Sequence, residues 1–69
     1  MLNWFSECFG CEPGETSRTK QLETSLANFI GWLQKNGSDH DVLCINPTLD
    51  GYGRVCVVVR LHKRPVQLA

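Results

Sequence analysis

The chain has 69 residues, of which 42% are hydrophobic and 20% charged, and its formal net charge is zero. That balance excludes disorder, and the length sets a single domain that buries only about 60% of its unfolded surface, so its core is marginal unless a staple, a metal or a partner subunit adds to it. No apolar run is long enough to span a bilayer, and residues 1–9 lack the basic region and cleavage pattern of a secretory signal, so the expectation is an intracellular protein, cytoplasmic or nuclear, with reduced cysteines.

Residues 1–9 are apolar and run into the breaker "GCEPGE", so a short helix or an irregular plug is expected at the start. The polar stretch "TSRT" then offers several N-caps, with Glu15 near the positive end of the helix dipole. Leu22, Leu26, Phe29, Ile30 and Leu33 recur at i, i+4, i+7, i+8 and i+11, which predicts a helix over about 17–36. Trp32 lies on the flank of that stripe, Gly31 on the far side, and Gly37 is placed to end the helix as a left-handed C-cap. "NGSDHD" follows as a linker. His40 stands there between Asp39 and Asp41, a triplet that could ligate a metal but is more ordinarily a solvated turn.

Two β-branched runs, 41–46 and 54–62, flank the turn-rich "PTLDGYG" and predict a β-hairpin, closed by Pro65 and followed by a tail, 66–69, expected to fray. The fold class is therefore α+β. One amphipathic helix packs on a C-terminal antiparallel β-hairpin (αββ) behind a short apolar N-terminal segment, with 1–14, 15–37 and 38–69 as the parts of one domain.

The hairpin loop decides which side chains meet. A two-residue turn at Asp50-Gly51 places Cys44 and Cys56 on opposite faces and leaves neither face cleanly apolar. A three-residue loop, Leu49-Asp50-Gly51, with Gly51 left-handed at a G1 bulge, pairs Cys44 with Cys56 and Val42 with Val58. It also gathers Leu43, Ile45, Val55, Val57, Val59 and Leu61 on one face for the helix, and is preferred for that reason.

The other face, with Val42, Cys44, Cys56 and Val58, then needs a cover: the N-terminal Leu2, Trp4, Phe5 and Phe9, or a second molecule. If the N-terminus folds back, Cys8 and Cys11 arrive beside Cys44 and Cys56 as a four-thiolate set of the kind that holds zinc. Against this stand buried free thiols, the ordinary fate of intracellular cysteine, and S-acylation of Cys8 and Cys11. Cys8 and Cys11 do not follow a strand in a βαβ unit, so a thioredoxin-like role is not expected. No catalytic constellation stands out, and the chain reads as non-enzymatic.

All seven acidic residues precede Gly51, whereas Arg54, Arg60, Lys63 and Arg64 follow it. The expected function is protein–protein contact by a small interaction or regulatory protein, with itself as a homodimer or with another protein. Val42, Arg54, Cys56, Val58, Arg60, Lys63 and Arg64 are the partner-binding candidates. The dimer would pair strand 54–62 with its symmetry mate near residues 57–59. One alternative is nucleic-acid binding through the basic strip, with Trp4 or Tyr52 stacking. Another is peripheral membrane attachment through residues 1–11, the basic strip meeting anionic lipid. In composition the chain resembles small viral accessory proteins, a likeness that assigns no residues.

Overall fold

The computed structural model describes residues 4–65; Leu2, with the rest of 1–3, and the tail 66–69 lie outside the described residues. The elements are β1 (Trp4–Phe9), α1 (Arg18–Asn36), a 3-10 turn (Gly37–Asp39), β2 (His40–Leu49) and β3 (Val55–Lys63). The strands form one antiparallel sheet in the order β1-β3-β2, with α1 packed on one side, an α+β fold.

The N-terminal segment is a strand, neither helix nor plug. Residues 4–9 alternate so that Phe5 and Phe9 face α1 while Trp4, Ser6 and Cys8 face away, and aromatic side chains suit a pleated, half-buried strand. Its six residues pair with β3, from Trp4 opposite His62 to Phe9 opposite Val57. β3 is thereby the central strand. Both its edges are taken, so the expected pairing of this strand with its own symmetry mate is overturned by β1.

Ser17 caps α1: its Oγ accepts from the Lys20 N–H at 3.3 Å, while the Ser17 N–H donates to the Glu15 carboxylate at 3.1 Å. At the other end Gly37 has φ −74°, in the right-handed region, because the chain tightens into the 3-10 turn instead of reversing through a left-handed cap.

The hairpin register also differs from the expected one. The loop is Gly51-Tyr52-Gly53, two residues further along, and the left-handed glycine is Gly53 with φ +76°. Asp50 decides this. Its Oδ1 accepts from the Tyr52 N–H at 2.8 Å and the Arg54 N–H at 3.0 Å, while the Gly53 N–H donates to the Asp50 carbonyl at 3.0 Å. Leu49 therefore stays in the strand opposite Val55, Thr48 faces Cys56, and Cys44 faces Arg60 in place of the expected Cys56. The change is an even number of residues, so Ile45, Val55, Val57, Val59 and Leu61 keep the shared face expected of them. A bulge between Val42 and Cys44 takes Leu43 out of register and brings Val42 opposite Leu61, not Val58.

The buried core is Phe29 with Val57, Val59 and Leu61, and Phe5, Phe9, Leu22, Leu26, Trp32 and Leu33 pack around it. The helix is rotated from its expected setting. The line buried deepest is Gln21, Ser25 and Phe29, while Ile30 is turned out. The cause lies at the start of β3. β1 ends opposite Val57, so the backbone of Val55 has no strand partner on that side, and α1 supplies one. Gln21 Oε1 accepts from the Val55 N–H at 2.8 Å and Ser25 Oγ donates to the Val55 carbonyl at 3.2 Å.

Candidate interaction surface

β2 is the edge strand that α1 leaves bare. The helix packs over β3 and β1, and no β2 side chain belongs to the buried core. On the helix side of the sheet Leu49, Pro47 and Ile45 stand opposite Val55, Val57 and Val59. Asn28 orients the helix above them: its side-chain amide donates to the Gly10 carbonyl at 2.8 Å, just beyond β1. Ile30 is two residues on, nearly opposite Asn28 round the axis, and so looks toward β2.

The result is a step lined by the outer flank of α1 and the helix side of β2. Ile30 is 51% exposed, Ile45 41% and Leu49 53%, with Val42 and Leu43 exposed beside them. From Val42 to Leu49 the strand has no charged side chain. Edge strands ordinarily carry such charges as protection. One safeguard is present. The Asp50 N–H donates to the Arg54 carbonyl at 2.8 Å. Antiparallel alternation then turns the backbone groups of Thr48 and Asn46 toward β3 and those of Leu49, Pro47 and Ile45 outward. Pro47 thus removes the central donor of the free edge.

The remaining site candidates scatter. Val42 lies on this surface. Val58 is half-buried on the far face, opposite Cys8 and Asn46. Arg54 Nε sits 3.5 Å from Asp50 Oδ2, with the guanidinium 5.0 Å from the Tyr52 ring centre. Arg64 reaches Asp41 at 3.5 Å and the Ser38 carbonyl. Arg60 and Lys63 are exposed and have no ion pair among the described residues. They alternate onto opposite faces, so two of the four basic residues are complemented within the chain and the other two share no face. His62 is half-buried, with Trp4 over it at a ring separation of 4.7 Å.

His40 is not the solvated linker residue expected. Its ring is wedged among Phe5 at 5.6 Å and Trp32 at 5.1 Å, and Nδ1 lies 2.6 Å from the Asn36 carbonyl and 2.8 Å from the Asp39 carboxylate. Both neighbours accept, so Nδ1 carries the proton and ties the end of α1 to the head of β2.

The four cysteines do not assemble into one thiolate set. Cys44 stands apart, exposed opposite Arg60, with the Asn46 amide 3.6 Å from its sulfur. Among the described residues no three His, Cys, Asp or Glu side chains are arranged to hold a metal ion. Cys56 is 2% exposed, whereas Cys8 is exposed and Cys11 half-buried. Burial, then hydrogen bonding and charge from neighbouring Cys8, with Asp50 and Cys11 adding, push the Cys56 thiol up to about 11. The returning N-terminus thus brings Cys8 and Cys11 to Cys56, but not to Cys44.

The surface residues Ile30, Leu43, Ile45 and Leu49 were not among the sequence candidates, since Leu43 and Ile45 were assigned to the core and Leu49 to the loop. Pro47 carried the signal, because proline inside a strand is confined to an edge. No protein-family model, curated protein or solved structure matches the chain.

Proposed function

We propose that this chain is a non-enzymatic interaction protein that acts as a homodimer, its two copies meeting through the α1–β2 step. The observation that carries the proposal is the exposed, uncharged apolar strip of Ile30, Val42, Ile45 and Leu49 beside a small buried cluster of Phe29, Val57, Val59 and Leu61. So small a core gains stability from a partner, and a second copy is always at hand. Neutrality from Val42 to Leu49 suits a two-fold contact, which would otherwise set like charges against each other. Since Pro47 interrupts the free edge, side chains make the contact and the strands do not extend into one ladder.

Arg54 and Arg64 are engaged by Asp50 and Asp41, which favours this function over a nucleic-acid interface. Phe5 and Phe9 are spent on the core, which favours it over a membrane anchor. Light scattering of the unmodified protein and of Ile45→Asp at high micromolar concentration is the test. The expected masses are twice the 7.8 kDa chain for the former and one chain for the latter. Equal masses for the two folded proteins would refute the proposed surface.

A further inference from the structure

We propose that Cys8 and Cys56 form an oxidisable pair, in which a hydroperoxide converts the exposed Cys8 to a sulfenic acid and Cys56 closes on it as a disulfide tying β1 to the central strand. The pair lies on the face of the sheet away from α1, and so is independent of the α1–β2 step.

Three features place it there. Cys8 is opposite Val58, and Cys56 lies two residues back along β3 on the same face, which makes the two thiols diagonal neighbours across an antiparallel pair. Such neighbours have Cα atoms about 7–8 Å apart, and a shift of ~1–2 Å brings them within disulfide range. Cys8 is the last residue but one of an edge strand, and at Gly10, just beyond that strand, an added Cβ would meet nothing within 4 Å. β1 is paired on one side only, so a shift of this size breaks no second ladder. Exposure then divides the roles: Cys8 meets the oxidant, and buried Cys56 is reached only by a neighbour already in place.

In the first step the Cys8 sulfur takes one peroxide oxygen as the O–O bond breaks, leaving water or an alcohol. In the second, the Cys56 sulfur attacks the Cys8 sulfur and the sulfenic oxygen leaves as water. The peroxide gains the two electrons that the thiols lose, with one S–S bond formed. Cys11 is the rival partner, three residues from Cys8, and Cys44 lies outside the group.

The test treats the fully reduced chain with a small excess of hydrogen peroxide, blocks remaining thiols under denaturing conditions, and maps linkages by mass spectrometry. The expected main product joins Cys8 to Cys56, leaves Cys44 alkylated, and melts higher than the reduced protein by roughly 10 °C, a gain reversed by reductant. Cys8→Ser and Cys56→Ala should each abolish that product, and Cys44→Ser should leave it unchanged. Because Cys56→Ala alters a buried site, Cys8→Ser at its exposed position is the variant that keeps the fold. A main product joining Cys8 to Cys11, or sulfinic acid at Cys8 with Cys56 still a free thiol, would overturn the proposal.

Discussion

Asp50 is the residue on which the hairpin turns. The Arg54 N–H, and after it the Tyr52 N–H and the Arg54 charge, hold its carboxyl below the usual carboxylate range against the opposing effect of desolvation. A folded pKa below the unfolded one means that the contribution is complete above the unfolded value, about 3.9, and is lost as pH falls through the folded value. Asp50→Ala is therefore expected to lower the urea midpoint at pH 7 and to narrow its gap to the unmodified protein at pH 3. A gap that is unchanged or wider at pH 3 would contradict this. Gln21 and Ser25 show the same dependence on a backbone partner. Gln21 donates from Nε2 to the Glu15 carbonyl at 2.6 Å and accepts from Val55, while Ser25 donates to the Gln21 carbonyl at 2.8 Å as well as to Val55. Gln21→Leu fills similar space but strands the Val55 N–H, and should cost about 1–3 kcal/mol in urea unfolding. A near-native midpoint would mean that water replaces the side chain.

At the scale of the element, α1 gives different roles to two neighbours of one apolar stripe, Phe29 and Ile30. Phe29 is buried against Phe9 at a ring separation of 5.3 Å, and Phe29→Ala should cost ~3–5 kcal/mol. Ile30→Ala should cost under about 1 kcal/mol in dilute solution, where the separated subunit is measured. Equal losses would mean that the helix sits in its expected rotation after all. The helix ends were legible because Ser17 and the recurrence from Leu22 to Leu33 are local signals. Its rotation was not, because the residues buried deepest include two polar ones whose partner, Val55, is 30 or more positions away. β1 was obscured by its brevity: six residues with aromatics in both phases fit a plug as well as a strand. In the hairpin two glycines, Gly51 and Gly53, could each take the left-handed position, and only the Asp50 carboxylate selects between them. The face assignment of Ile45, Val55, Val57, Val59 and Leu61 survived because the registers differ by an even step, whereas that of Val42, moved by the bulge, and the Cys44–Cys56 pairing, which needs the register itself, did not.

At the scale of the whole molecule, a three-stranded sheet with one helix leaves its third strand uncovered, and that strand carries no charge from Val42 to Leu49. A chain of this size has little stability of its own, so association through the α1–β2 step should raise the melting midpoint with protein concentration. A midpoint that does not move across a hundredfold range in concentration would argue for a self-sufficient monomer. The proximity of two copies is read most directly by isotope-filtered NMR on an equal mixture of labelled and unlabelled protein, which detects only contacts between subunits. The expected result is intermolecular contacts among the methyl groups of Ile30, Val42, Ile45 and Leu49. Intermolecular contacts confined to Trp4, Cys8 and Val58 on the opposite face, or none at concentrations where the protein is folded, would contradict a dimer built on β2.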